Sequence, residues 1–266
     1  MNRSPHGFLT LLGTGGSSGV PRLGCNCAIC RSPSPRARRL RSAALCSVKG
    51  KSLLIDAGPD IRTQLLREKV HSLDALLITH SHADHIAGLD DLRPLSQVHK
   101  GGLPCYLSAF SLQALRQRFP HLTSSDPRAI EGSITSLAFH PFPKEQGEFS
   151  IQGLSLRHLA YFQGEKTPVN GFIFGDLAYL TDLRSFSQEI FTQLRGIKTL
   201  IVGATRLQTN PFHLGLTQII AFSRRVGAEK TWLTHLSHEI DGERYPLPKE
   251  ISFAYDGLKL PLILSS

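Results

Sequence analysis

The stretch Thr79-His80-Ser81-His82-Ala83-Asp84-His85 places three imidazoles and one carboxylate within a short run. It continues Asp74-Ala-Leu-Leu-Ile-Thr79, an apolar segment whose length is typical of a buried strand. Such a cluster is unfavourable unless a cation lies among the side chains, and His is the commonest metal ligand in proteins. A solvated polar loop is the alternative, but the density of His favours a metal site.

Three more ligand-type residues come after apolar, strand-like runs, namely His158, Asp182 and His235. Each is weak support alone, because Asp and His are common at strand ends and turns. A centre with two metal ions needs more ligands than one loop supplies. Taken with the His-rich stretch, these residues therefore predict a dinuclear metal centre.

A second cluster is the run Gly24-Cys25-Asn26-Cys27-Ala28-Ile29-Cys30. This spacing allows three thiolates to surround one tetrahedral ion, which then requires a fourth ligand. By residue type alone, Cys46 and Cys105 are candidates for that ligand. The alternative is that the three cysteines are ordinary buried residues.

Length and composition predict one large globular domain over residues 1–266, or at most two small ones, because 266 residues with 41% hydrophobic content can build a full core. The formal net charge of +9 favours anionic partners such as nucleic acids, nucleotides, acidic lipids or phosphate esters. Charge alone does not choose among them.

The chain lacks the features of a membrane or secreted protein. No apolar run approaches the ~20 residues that span a bilayer, and the N-terminal apolar piece lacks a signal cleavage site. Five cysteines are an odd number, which argues against a disulfide framework. We therefore expect a cytoplasmic protein without a membrane partner.

Residue periodicity predicts a mixed α and β protein. The helical segments are 59–69, 108–119, 185–194 and 216–226. The strand segments are 8–12, 42–48, 52–55, 75–79, 134–139, 149–157, 171–181, 199–202 and 230–234.

These residues resemble the motifs of the metallo-β-lactamase superfamily over most of the chain. Leu54-Ile-Asp-Ala-Gly58 resembles the first motif, the His-rich stretch the second, and His158, Asp182 and His235 the next three. The resemblance implies an α/β fold, a four-layer αββα sandwich in which two sheets pack face to face with helices outside.

The resemblance also implies roles for the ligands. Asp56 would orient the metal loop without binding metal. Asp84 would be catalytic as well as a ligand, and two divalent metals, Zn, Mn or Fe, would activate a hydroxide. The implied ligands are His80, His82 and His158 for one metal, Asp84, His85 and His235 for the other, and Asp182 as the bridge.

Within the superfamily, the chain is similar to the phosphodiesterases that accompany the carbon–phosphorus lyase pathway. The shared features are Leu12-Gly-Thr-Gly-Gly16, the cysteine run, and Leu233-Thr-His-Leu-Ser-His238. This similarity implies a structural zinc held by Cys25, Cys27, Cys30 and His238.

Two residues are candidates for contact with substrate. His213 precedes a predicted helix, and the resemblance implies that it is a general acid; a helix-entry His without chemistry is the alternative. Arg93 is a candidate for binding a phosphate oxygen, and an ion pair with Asp90 or Asp91 is its alternative. The basic run between residues 31 and 41 is interpreted as a solvated face, with a flap over the substrate as the alternative.

The leading functional hypothesis is a metal-dependent phosphodiesterase acting on small cyclic or nucleotide phosphodiesters. An RNA or DNA nuclease of the tRNA 3′-processing type is an alternative, although no long insertion for gripping tRNA is visible. A non-catalytic metal-binding interaction protein is a third hypothesis. The expected partner is a small anionic phosphodiester, and dimerisation, common in the family, is a further expectation.

Overall fold

The computed structural model describes residues 5–123 and 134–264. Its strands form two seven-stranded sheets, in the orders β14-β1-β2-β3-β4-β5-β6 and β13-β12-β11-β10-β9-β8-β7. The strands are β1 (Gly7–Gly13), β2 (Ala43–Val48), β3 (Lys51–Ile55), β4 (Ala75–Leu77), β5 (Leu103–Leu107), β6 (Leu137–Pro141), β7 (Gly147–Ile151), β8 (Leu154–Gln163), β9 (Thr167–Phe174), β10 (Leu177–Leu180), β11 (Thr199–Gly203), β12 (Lys230–Thr234), β13 (Ile251–Phe253) and β14 (Lys259–Leu262).

Each sheet contains a parallel half, formed by β3 to β6 in the first sheet and β10 to β13 in the second. The carboxyl ends of parallel neighbours lie at the same edge of a sheet. Loops that leave β4, β10 and β12 are therefore released at these edges, where open α/β sheets usually place their sites.

Strand side chains alternate between two cores. Leu53 and Ile55 point into the core between the sheets, whereas Leu54 packs against the helices on the outer face. In the second sheet, Tyr179 points inward and Leu180 outward in the same way. This period of two gives both sheets two apolar faces, so each sheet needs cover on both sides.

Helices cover the two outer faces. Ile61 of α2 and Leu115 of α5 pack on the first sheet, and Ile219 and Phe222 of α8 pack on the second. The helices are α1 (Ala28–Arg31), α2 (Ile61–Arg67), α3 (Ala83–Ile86), α4 (Arg93–Ser96), α5 (Ala109–Arg118), α6 (Pro120–Thr123), α7 (Ile190–Gln193) and α8 (Leu216–Val226).

The predicted αββα sandwich is confirmed. The segments 149–157 and 171–181, predicted as strands in hairpins, each contain a hairpin turn, so each spans parts of two antiparallel strands. Gly153 and Gly175 adopt φ values of +84° and +60° there, a conformation that glycine tolerates best. The helix predicted over 185–194 is limited to α7.

Among the described residues, no helix has the length and apolar character needed to cross a membrane. One domain over residues 1–266 stays a prediction.

Candidate metal centre

The His-rich stretch forms a tight loop after β4. β4 ends at Leu77, and the stretch then runs into α3, which carries Asp84 and His85. The loop lies against Gly58, where a Cβ atom would come within 2.0 Å of the Asp84 carbonyl oxygen. The absence of a side chain at Gly58 therefore allows the two backbones to approach.

Four side chains converge closely at this loop. His85 Nε2 lies 3.4 Å from Asp84 Oδ2 and 3.3 Å from Asp182 Oδ2. His235 Nε2 lies 3.3 Å from Asp84 Oδ2 and 3.4 Å from Asp182 Oδ2. Two carboxylates and two imidazoles thus face one another, with Asp182 in contact with both rings.

The chain brings Asp182 and His235 to this point from the second sheet. Asp182 follows β10, and His235 directly follows β12. Both adopt left-handed backbone conformations, with φ values of +54° and +55°, and Asp56 does so at +63°. Non-glycine residues rarely adopt this conformation, and strained residues of this kind cluster at functional sites.

Two groups of candidate ligands have all their ligand atoms within 4.8 Å of one another. They are His80, His85 and Asp182, and Asp84, His85 and His235. His82 lies next to the first group, because its ring centroid is 4.6 Å from that of His80.

His158 lies outside both groups. Its sequence context predicts a position after a strand, but His158 lies within β8. Its ring stacks on Phe142 with a centroid separation of 3.9 Å.

Among the described residues, three buried ring nitrogens have no hydrogen-bond partner: His80 Nε2, His85 Nε2 and His158 Nδ1. The contacts of His85 Nε2 with the two carboxylates are close in distance but lack hydrogen-bond geometry. Unpaired buried polar atoms are unfavourable, and coordination to a cation removes the penalty. The residues present therefore fit a metal site.

Burial and mutual charge shift the pKa values at the centre. Burial lowers the pKa of His80 well below its ordinary value, and His85 adds to this effect. Burial raises the pKa of the Asp182 carboxyl, but His235 and His85 lower it more, so it lies well below its usual range. Burial lowers the pKa of His85, but the Asp84 and Asp56 carboxylates raise it by more, so this pKa lies well above its ordinary value. Asp182 is therefore charged, which favours a bound cation.

Buried hydrogen bonds orient two of the rings. His85 Nδ1 lies 2.7 Å from Asp56 Oδ2, and His235 Nδ1 lies 3.0 Å from Thr205 Oγ1. With Nδ1 engaged, Nε2 of each ring is directed at the carboxylates. Outer contacts of this kind fix the orientation of metal-ligating imidazoles.

The cysteine run forms a separate cluster with His238, in which all ligand atoms lie within 4.8 Å of one another. His238 Nδ1 lies 3.3 Å from Cys25 Sγ and 3.5 Å from Cys27 Sγ. These separations match the roughly 3.5 Å between ligands of a tetrahedral zinc. The Cys30 N–H and then His238 lower the pKa of Cys27 to about 6, which favours the thiolate that binds metal.

Cys46 and Cys105 lie away from this cluster. Cys46 belongs to the core between the sheets, and Cys105 to the core under the helices of the first sheet. Burial raises the pKa of Cys46 to about 12. These thiols are therefore core residues, and His238 completes the group of four.

A cavity of about 390 Å³ lies beside the metal centre. His82, Gln163 and His213 lie along its wall, together with Arg22 and Arg206. The turn Gly16–Gly19 and the half-exposed ring of Phe212 also line it. The cleft thus carries two arginines, which can donate to an anion, and one carboxylate, Glu239.

His213 lines this cavity and contacts residues of the metal centre. Its Nδ1 lies 3.7 Å from Asp182 Oδ1 and 3.4 Å from Thr205 Oγ1, and its Nε2 lies 3.3 Å from Gln163 Nε2. Burial lowers its pKa to about 4, although Asp182 opposes the shift. The imidazole is therefore neutral at pH 7 in this arrangement.

Arg93 lies elsewhere. It begins α4 and lines a different cavity, together with Arg62, Asp90 and Asp91. The structure therefore does not bring Arg93 to the cleft beside His82 and His213.

The protein-family model for the beta-lactamase superfamily domain matches residues 51–236 of the sequence. This range includes the convergent side chains from Asp56 to His235. The chain belongs to the metallo-β-lactamase superfamily. A solved superfamily structure, a diphosphatase of the PhnP family, is 36% identical over 97% of this chain and 98% of its own, with a TM-score of 0.87.

Two curated proteins are also similar to this chain. An octanoyltransferase of Porphyromonas gingivalis is 32% identical over 94% of this chain, which spans half the length of that relative. A ribonuclease Z of Clostridium kluyveri is 37% identical over 31% of this chain and 22% of its own length.

Sequence reasoning did not identify Thr205, which contacts His235, or Arg22 and Arg206, which line the cleft. Thr205 follows the apolar strand β11, so a polar residue after a buried strand was its signal. The two arginines carry no local signal, because basic residues are common on a chain with net charge +9. Only the fold brings them to one cleft.

Proposed function

We propose that this protein is a metal-dependent hydrolase of phosphodiesters. The observation that carries the proposal is the convergence of Asp84, His85, Asp182 and His235, together with orphaned buried ring nitrogens beside an arginine-lined cleft. The residues proposed to hold two divalent metals are His80, His82, Asp84, His85, His158, Asp182 and His235.

Two divalent cations, when bound, supply a water of lowered pKa and stabilise negative charge on the substrate. The residues of the chain orient the ligands for this chemistry. Asp56 accepts a hydrogen bond from Thr79 N–H, and its other oxygen lies against His85 Nδ1. Gln163 Nε2 donates to Asp182 Oδ1 at 3.0 Å. These bonds keep the ligating atoms directed at a common point.

We propose that the cleft binds the anionic part of the substrate. Arg22 and Arg206 provide donors for phosphate oxygens. The similarity to a PhnP-family diphosphatase supports a diphosphate linkage as well as a phosphodiester as the bond that is cleaved. Both bonds place a charged phosphoryl centre next to a leaving oxygen.

His213 is proposed as the general acid toward that oxygen. Its pKa of about 4 leaves it neutral in the free protein. An anionic substrate beside the ring raises this pKa toward neutrality, because an opposite charge favours the imidazolium. Proton donation would then be coupled to substrate binding.

We further propose that Cys25, Cys27, Cys30 and His238 hold a structural zinc. His235 and His238 lie on one turn, so this zinc would hold the segment that carries a catalytic ligand. Mixed nitrogen and oxygen ligands suit zinc, manganese or iron at the catalytic positions. A homodimer and a cytoplasmic location stay predictions.

The test is hydrolysis of bis-para-nitrophenyl phosphate by protein supplied with manganese or zinc. We expect turnover that falls at least about a hundredfold in His82→Ala and Asp182→Ala. His71→Ala, which changes an exposed His, is the matched control. Absence of turnover in metal-loaded protein, or turnover unchanged in both site variants, would contradict the proposal.

A nuclease activity is the second candidate, supported by the partial similarity to a ribonuclease Z and by the net charge of +9. The test is cleavage of a labelled precursor tRNA at low salt, beside the small diester under the same conditions. Cleavage of the precursor with little hydrolysis of the small diester would favour the nuclease.

A further inference from the structure

Arg39 is a buried cation that joins two segments of the chain. Its side chain is almost fully enclosed, with 4% exposure. Nη1 donates to the carbonyl oxygens of Ser237 at 3.2 Å and Ile240 at 3.1 Å, and Nη2 donates to Ile240 at 3.1 Å. The guanidinium thus binds the segment that follows His235.

The guanidinium keeps unused donors. A guanidinium has five N–H groups, and three hydrogen bonds to carbonyl oxygens leave two of them. Nε is one of these, since it is buried and has no hydrogen-bond partner in the described part of the chain. Within residues 5–123 and 134–264, no carboxylate forms an ion pair with Arg39. Burial lowers its pKa, and Asp256 and Asp241 oppose this only through longer-range attraction.

A cavity of about 350 Å³ lies beside this guanidinium. Arg36 and Arg244 line it as well, and the Arg36 guanidinium lies 3.6 Å over the ring of Tyr255. Gly242 also lines it, and a Cβ atom there would lie 3.3 Å from Arg39 Nη2. The missing side chain leaves space beside Nη2 of the guanidinium, whereas Nε stays buried.

The two carboxylates at this cavity are already engaged. Glu243 Oε1 accepts a hydrogen bond from Ser34 Oγ at 2.6 Å. Asp241 Oδ1 accepts one from the Glu243 N–H at 3.1 Å, and its Oδ2 lies 3.5 Å from Arg244 Nε. Neither neutralises Arg39 directly, and a buried cation without an anionic partner is unfavourable.

We propose that this cavity binds a small oxyanion, a phosphate or a carboxylate group, one of whose oxygens accepts a hydrogen bond from Arg39 Nη2. The site is distinct from the cleft beside His213, because the two cavities share no lining residue. Its lining includes Ala28 and Ile29 of the cysteine run, and the segment 241–244, which follows His238 in the chain. A bound anion therefore links the two segments that carry the cysteine and histidine cluster.

The test is isothermal titration calorimetry of the metal-loaded protein with inorganic phosphate and, separately, with acetate. Gly242→Val fills the space in front of Arg39, and Arg36→Gln removes one charge. We expect the dissociation constant to rise about tenfold or more in each. Gly242→Val blocks the approach of the anion to Arg39, and Arg36→Gln removes a positive charge that attracts the anion. Arg195→Gln removes an exposed charge outside the cavity and is expected to bind as the wild type.

The same titrations in His82→Ala separate this site from the catalytic centre, which also attracts phosphate. Binding that persists in His82→Ala and weakens in Gly242→Val supports the proposal. Tighter phosphate assigns a phosphate group, and tighter acetate assigns a carboxylate. If Gly242→Val does not fold, Gly242→Ala and Arg244→Gln replace it. The proposal is overturned if neither anion binds, or if all cavity variants bind as the wild type does.

Discussion

The Nδ1 atom of His85 lies 2.7 Å from Oδ2 of Asp56, and both side chains are fully enclosed. The same carboxylate accepts hydrogen bonds from the Thr79 N–H and hydroxyl, each at 2.8 Å. Asp56 thus connects the end of β3 with the loop that follows β4. Because it engages Nδ1, it leaves Nε2 of His85 as the ring atom directed at Asp84 and Asp182.

Replacement of Asp56 by Asn tests this relationship. Asp56→Asn keeps the shape of the side chain but removes the charge that stabilises a donating Nδ1–H. We expect metal affinity or kcat to fall about 10- to 100-fold, the usual effect of losing such an outer contact. Metal content by mass spectrometry and turnover of the small diester measure it. Asp176→Asn, in the turn after β9, is the matched control, and an equal loss in both variants would contradict the role of Asp56.

Removal of the cluster at His238 tests the structural zinc. His238→Ala is expected to lower bound zinc by one ion per chain and to reduce the free energy of unfolding by several kcal/mol, because structural zinc binding contributes to folding. Zinc analysis and thermal unfolding of the metal-loaded protein measure both effects. Retention of full zinc content in His238→Ala, with Cys27→Ala equally unaffected, would rule out this site.

Addition of a methyl group at Gly58 tests the close approach to the metal loop. In Gly58→Ala the new Cβ would meet the Asp84 carbonyl oxygen at 2.0 Å, so the loop must move. We expect a loss of about 1–3 kcal/mol in stability and weaker metal binding. In Gly50→Ala the Cβ meets no atom within 4 Å, so only the left-handed backbone opposes it, at about 1 kcal/mol. Equal metal binding in the two variants would contradict the expectation.

The buried thiol of Cys46 predicts a pH dependence of stability. Burial raises its folded-state pKa from 9.0 to about 12. A raised pKa means that the folded state holds the proton more tightly, so stability is full below pH 9 and falls as pH rises toward 12. One such group contributes a slope of about 1.4 kcal/mol per pH unit. Denaturant unfolding between pH 9 and 11 should show a shallower loss in Cys46→Ala than in the wild type, and parallel slopes would refute this.

The pair of Arg206 and Glu239 tests the cleft. Arg206 Nη1 lies 2.5 Å from Glu239 Oε1, so the carboxylate would compete with the proposed anionic substrate. We expect Arg206→Gln to raise KM about tenfold with little change in kcat, because a ground-state contact is lost. Glu239→Gln should lower KM. Steady-state kinetics on the small diester measure both, and a shift in the same direction for the two variants would contradict the role of Arg206.

Local sequence patterns pointed to the proposed ligands Asp182 and His235 because both follow apolar strands. The stretch from His80 to His85 is ligand-rich within one loop, so its density is visible without any fold. His158 is different, since it lies within β8 and has no strand-end signal of its own. Thr205 and Gln163 gain their roles only from contacts with His235 and Asp182, residues distant in sequence.

The sequence by itself determined the two apolar faces of the sheets, the ligand-rich loop and the cysteine spacing, because these depend on residue type and period. Tertiary structure decided which distant residues meet. It placed Cys46 and Cys105 in apolar cores, His238 beside Cys25, and Arg93 in a cavity apart from His213. The physical reason is that strand period and side-chain chemistry are local, whereas the position of one strand end beside another follows from how both sheets pack.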